Sequence, residues 1–208
     1  VGDHGRVFAF EPNPRLAARL RTAAERNHRR QITVMETALG ASAGKACLSV
    51  PAGNAGAASL SRDITGLGKI ERHPVRLARL DDLAGSWRTI SLMKMDVEGA
   101  EFEVINGARE TITRTLPIII FEMNAGKDDA LIKAFADLDY AVFGLPKCLL
   151  KLRLEPAGYD QAFHDYVAIP KRGRFAEITA QFGVAATPSR SRRSSAKRLP
   201  SEGVRAYA

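Results

Sequence analysis

Cysteine is nearly missing from this chain: Cys47 and Cys148 are the only two in 208 residues, far apart and without paired spacing. That pattern fits neither a disulfide framework nor a zinc site. Long apolar runs are missing as well. The longest, Leu116-Pro117-Ile118-Ile119-Ile120-Phe121, stops far short of the roughly 20 residues a membrane-spanning helix requires. The sequence therefore reads as soluble, and the expected compartment is the cytoplasm. Histidine is scarce and scattered: His4, His28, His73 and His164 show no ligand spacing, so no metal is expected. Of these only His164, just before an apolar run, stands where a base would be worth testing.

What is present is an ordinary globular composition, 45% hydrophobic and 26% charged, of a length that supports one sizeable core. The net charge of +8 is concentrated at one end. Residues 171–208 hold nine of the 31 basic and two of the 23 acidic residues, which leaves only +1 on residues 1–170. The basic character therefore says little about the folded body. Residues 1–170 read as one domain, 171–186 as an extension, and 187–208 as a basic, serine-rich tail expected to be disordered. The RSRR and AKR clusters of the tail carry no interleaved aromatics, so a specific nucleic-acid partner is not expected. Val1 opens directly on strand-like sequence, which gives the expectation of a cut start.

Strands and helices alternate along the body. Arg6 to Glu11 is a short apolar run ending in a carboxylate; Asn13 and Pro14 then supply a cap and a first helical residue for a helix ending near Asn27, with Leu16, Leu20 and Ala23 on its apolar face. Ile32 to Met35 is the next strand, closed by Ala38-Leu39-Gly40, and 41–88 mixes short strands with Gly- and Ser-rich loops. Ile90 to Asp96 is a strand, followed by a helix from Gly99 with Phe102, Ile105 and Ala108 inward. Ile118 to Glu122 precedes a helix over 128–138, and 140–143 and 165–169 complete the set. This alternation predicts an α/β fold: a mostly parallel, Rossmann-like sheet, its strands buried on both faces, with helices on both sides.

Three of these strands end in carboxylates, Glu11, Asp96 and Glu122, and ligands of open α/β sheets bind beyond the carboxyl ends of strands. Glu11 suits hydrogen bonding to ribose hydroxyls, although it equally suits a solvated strand end. Lys94-Met95-Asp96-Val97-Glu98-Gly99-Ala100-Glu101 sets three carboxylates around a strand-to-helix turn in which Gly99 permits a tight bend. Asp96 and Glu98 are the stronger candidates for substrate or base work; Glu101, inside the helix, reads as favoured by the helix dipole. Asp81 and Asp82 are candidates for capping a helix at Leu83.

Taken together, Val7-Phe8-Ala9-Phe10-Glu11-Pro12-Asn13-Pro14, Leu80-Asp81-Asp82-Leu83, the 94–101 block and Phe121-Glu122-Met123-Asn124 resemble the FkbM-like family of class I S-adenosylmethionine-dependent methyltransferases. The blocks fall in the family's order across residues 5–170. The resemblance implies a Rossmann-like fold and methyl transfer from S-adenosyl-L-methionine, commonly to a hydroxyl of a sugar, lipid or secondary metabolite. It places Glu11, with Pro12 and Asn13, at the cofactor ribose, Ala38 near the adenine, and Asp96 and Glu98 beside the transferable methyl group; Glu122, by its own strand-end position, is a further candidate pocket carboxylate.

One family feature is not matched. Upstream of the strand corresponding to 7–11, the family carries a strand and a glycine-rich loop of the type D-x-G-x-N-x-G that holds the methionine end of the cofactor. Gly2-Asp3-His4-Gly5 is too short to be that segment. The expectation is a class I sheet lacking its first strand and helix, with weak or no cofactor binding by the 208 residues alone. Two other readings stay open on the residues: a catalytically incompetent interaction module with a basic tail, and a fragment of a nicotinamide-dependent oxidoreductase.

Overall fold

Asn13 starts the first helix by direct capping: its side-chain oxygen accepts the Arg15 N–H at 3.0 Å, and Pro14 occupies the first helical position, where its missing N–H is no loss. Helix α1 (Pro14–Arg26) follows strand β1 (Val7–Phe10) and precedes β2 (Ile32–Met35), and β1 and β2 pair in parallel from Val7↔Ile32 to Phe10↔Met35. The computed structural model describes residues 1–2, 4–53, 58–60, 69–123, 129–145, 155–156, 165–175 and 177. Cys148, Asn124, His164, most of 176–186 and the 187–208 tail lie outside the described residues.

The helix face expected from Leu16, Leu20 and Ala23 is shifted. Ala17 is the fully buried residue, whereas Leu20 is 43% exposed. Leu20 and Ala23 line an open cavity of about 250 Å³ with Ala9, Ile32 and Val34, because α1 and the strand pair leave a gap there.

The 41–88 stretch, whose register the sequence left unset, folds around a long antiparallel hairpin. β4 (Gly44–Pro51) pairs with β5 (Ile70–Ala78), and the short β3 (Ala38–Leu39) joins β5 in parallel. The main sheet contains β6 (Leu92–Met95), β7 (Ile118–Glu122), β8 (Tyr140–Leu145), β9 (Glu155–Pro156) and β10 (Asp165–Pro170), in the order β6-β7-β10-β8-β9. β6 and β7 are parallel, but β10 runs antiparallel between β7 and β8. The sheet is thus more mixed than the alternation suggested. Strand direction depends on the crossovers, which periodicity does not encode.

Four helices, α2 (Leu80–Leu83), α3 (Glu101–Asn106), α4 (Arg109–Thr115) and α5 (Asp129–Asp137), and a short 3-10 helix over Gly173–Phe175 complete the described elements. Val104, Ile105, Ile112, Leu131 and Phe135 from these helices pack on Met95, Ile119, Phe121, Tyr166 and Ala168 to form the principal core. A second cluster on Phe143, Val167 and Ile169 is flanked by Phe175. β10 is buried from Tyr166 to Pro170, as a strand with neighbours on both edges should be. β1 is only half buried and Leu92 of β6 is 56% exposed, so full burial on both faces does not hold for these two strands. Each is paired along one edge only among the described residues. The β1–β2 pair is nevertheless tied to the rest, since Phe10 packs on the principal core and Phe8 stacks on Trp87 at 3.9 Å between ring centroids.

Asp81 does cap a helix, though not the nearby one. α2 begins at Leu80, and its preceding residue, Arg79, makes no side-chain cap. The Asp81 carboxylate instead accepts the Thr111 N–H at 2.8 Å and the Glu110 N–H at 3.3 Å, at the start of α4, and pairs with Arg79 at 3.2 Å. This bond exists because the helix expected to run on from Gly99 breaks at Gly107, where α4 starts afresh with its own unsatisfied amides.

Candidate functional site

Parallel pairing of β6 with β7 aligns Met95 with Phe121, so the residues that follow, Asp96 and Glu122, stand at neighbouring strand ends. β10 continues the row, with Asp165 directly opposite Glu122. Asp96, Glu122 and Asp165 therefore mark one edge of the main sheet. Asp165 was not singled out from the sequence, where it reads only as the polar start of an apolar run. Among the described residues, no group of three histidine, cysteine or acidic side chains converges as a metal site.

Beyond Asp96 the chain bends sharply. Glu98 has a φ of 50° and Gly99 a φ of 98°; the first is uncommon for a residue with a side chain and signals a conformation held by its surroundings. One such restraint is Ser59, which is only 2% exposed and donates its hydroxyl to the Glu98 carbonyl at 3.0 Å. Ser59 itself is fixed by two backbone bonds with Ser49 of β4, each 3.0 Å. The hairpin thus supports the turn. No local pattern marks Ser59, because its partner lies 39 residues away in sequence.

Asp96 is half exposed and paired with Lys94 at 3.1 Å. Glu101 differs, being 8% exposed, with a side-chain oxygen 3.4 Å from the Gly99 N–H. Burial raises its pKa from the ordinary carboxylate value, and the nearby Glu98 charge adds to the rise, against lowering by hydrogen bonds from the turn. Glu101 thus stabilises the turn locally, in line with a structural role. Because its folded-state pKa is raised, its ionisation costs stability as pH climbs through the carboxylate range. Glu101→Gln should accordingly gain thermal stability relative to wild type at pH 7, with the gain vanishing below about pH 4. Paired melts across that range check it, and a gain that grows on acidification would refute it.

Glu11 is half buried at the end of β1, whose ladder its own N–H extends by donating to the Met35 carbonyl at 3.0 Å. Its carboxylate accepts the Asn13 N–H at 2.7 Å. Burial raises its pKa, and this bond pulls it back down. Pro12 and Asn13 complete one rigid turn, with Asn13 buried as the α1 cap. Arg15, on the next turn, pairs with Glu71 of β5 at 3.3 Å, so the same hairpin touches the elements carrying Glu11 and Glu98. Ala38 is buried in β3 opposite Leu77.

The structure therefore gathers the predicted residues into two groups. Asp96, Glu98 and Glu122 share the β6–β7 end, and Glu11, Pro12 and Asn13 share the β1 end. No described hydrogen bond or ion pair joins Glu11 to Asp96. Two open cavities, of about 380 and 250 Å³, lie along α1 and β2 and are lined by none of the strand-end carboxylates.

This is a mixed α/β, Rossmann-like fold with acidic residues at the carboxyl ends of its strands. Residues 1–142 match the methyltransferase FkbM domain, and the chain belongs to that family. Among solved structures, the chain is similar to the methyltransferase FkbM from Methylobacillus flagellatus KT, at 18% identity and a TM-score of 0.49, covering 78% of this chain and 36% of that one. It also aligns with precorrin-6y C5,15-methyltransferase from Geobacter metallireducens GS-15, at 15% identity and a TM-score of 0.35, over 79% of this chain and 68% of that one. The chain thus spans little more than a third of the first of these proteins. No curated protein matches it. No described helix is long and apolar enough to cross a membrane.

Proposed function

We propose that this domain transfers the methyl group of S-adenosyl-L-methionine to a hydroxyl oxygen of a sugar, lipid or secondary-metabolite acceptor. The observation that carries this reading is the β6–β7 register, which sets Asp96 and Glu122 side by side next to the strained Glu98–Gly99 turn. Glu11 accepts hydrogen bonds from the ribose hydroxyls, a task for which its fixed turn with Pro12 and Asn13 pre-orients it. Ala38, buried in β3, lies at the position near the adenine.

Bound, the cofactor supplies an electrophilic methyl carbon on a sulfonium. Asp96 would take the proton of the acceptor hydroxyl as that oxygen accepts the methyl group, and Lys94, paired with it, would balance its charge beforehand. Glu98 and Glu122 orient the acceptor. A positioned base of this kind contributes about 100-fold or more to rate.

Asp96→Asn should therefore lower turnover about 100-fold while leaving the thermal midpoint nearly unchanged, since the side chain is half exposed. The measurement is methyl transfer to candidate acceptors, with calorimetric titration of S-adenosylhomocysteine alongside. Unfolding of Asp96→Asn, or full turnover, would overturn the role; titration of a nicotinamide cofactor in preference to S-adenosylhomocysteine would overturn the reaction class.

A further inference from the structure

The β4–β5 hairpin has one face turned to the small apolar cluster of Leu48, Val50 and Val75 and one turned to solvent. The solvent face carries Lys45 and Cys47 from β4 and Arg72, Pro74 and Arg76 from β5, all exposed. The antiparallel register sets Lys45 directly opposite Arg76, Cys47 opposite Pro74 and Ser49 opposite Arg72. Among the described residues, three cations thus share this face with no acidic residue. None of the three forms an ion pair among the described residues, whereas Glu71, on the other face, is engaged by Arg15 and lies 3.5 Å from His73.

Directly opposed residues on antiparallel strands have Cβ atoms about 5 Å apart, and like charges there are destabilising. Lys45 and Arg76 repel each other in the isolated chain, and an anionic group bridging them removes that cost. Arg72, four residues along the same strand, provides a second anchor about 13 Å away.

The face also narrows the partner's chemistry. Among the described residues it has no aromatic side chain on which a base would stack. Among the described residues its one large apolar side chain, Ile70 at the far end opposite Pro51, is partly buried, and three charges alone hold a membrane only weakly. Cys47 and Pro74 leave its centre low and flat between the cations. We propose that this face docks an acidic protein segment, one carboxylate lying between Lys45 and Arg76 and another on Arg72, a spacing of about two turns of an α-helix. The proposal is independent of the methyltransferase reading.

Fluorescence anisotropy with labelled poly-L-glutamate tests it on the full chain, with a DNA duplex and phosphatidylserine vesicles in parallel. The double variant K45E/R76E is compared with R19E/R26E, which makes the same charge change on exposed positions of α1 and leaves the basic tail untouched. The hairpin variant should lose about tenfold or more in polyglutamate affinity at low salt, and the α1 variant much less. The single variant K45E, which turns repulsion into attraction across the strands, should also raise the thermal midpoint. Equal weakening in both double variants would reduce the cations to keeping an edge strand from pairing and overturn the proposal. So would a selective loss of DNA or vesicle binding, or a K45E variant no more stable than wild type.

Discussion

Glu11→Gln is expected to weaken S-adenosylhomocysteine binding by about ten- to hundredfold, while raising rather than lowering the thermal midpoint at neutral pH. Hydrogen bonds to a charged group contribute about 1.5 to 3 kcal/mol, which gives the binding loss. The stability gain follows from the raised pKa of Glu11 in the fold, where burial outweighs the bond from the Asn13 N–H. A carboxyl with a raised folded-state pKa binds its proton more tightly folded than unfolded, so stability falls as pH rises through its titration. Glutamine removes that cost yet still accepts the Asn13 N–H, so the α1 entry survives. The two readouts separate a ligand-binding carboxylate from a merely solvated strand end: the latter would leave affinity unchanged. Calorimetric titration measures the binding arm, and thermal melts measure the stability arm.

Gly107→Ala carries the largest expected loss of stability. A Cβ at this position would lie 1.9 Å from the Gly40 carbonyl oxygen and 2.8 Å from its carbon, both of which belong to backbone and cannot rotate away. Gly40 is held in turn by its N–H bond to the Ala78 carbonyl, and the Gly107 carbonyl accepts the Asp81 N–H. The end of α3 and the exit of β3 would have to separate. Overpacking that moves backbone costs about 3 kcal/mol or more, equivalent to roughly 6–12 °C in the midpoint of a chain this size. Differential scanning calorimetry measures it, and a shift under about 2 °C would show that the two segments do not meet as described.

The site residues were legible in unequal degree. Asp96 and Glu122 stand out because apolar runs end on them, and strand ends survive any error of register. Glu11-Pro12-Asn13-Pro14 is legible for the same reason, reinforced by a cap and a proline whose effects are local. Ser59 was not legible, nor was the Arg15–Glu71 pair, since each acts across a long loop. Asp81 shows the boundary between the two cases: the residue type announced a cap, but the sequence pointed to the adjacent helix. Only the break at Gly107 brought the start of α4, about 30 residues on, within its reach.

What the sequence determined by itself is the alternation of strands and helices, the caps and strand ends, and the concentration of basic charge in residues 171–208, because each depends on periodicity, on one or two neighbouring residues, or on composition. The tertiary structure decided the rest: the antiparallel direction of β10, the hairpin register that opposes Lys45 to Arg76, the close approach of Gly107 to Gly40 and the support of the Glu98 turn by Ser59. These are pairings between distant segments, selected by which apolar faces bury one another and which backbone groups find partners when the chain closes.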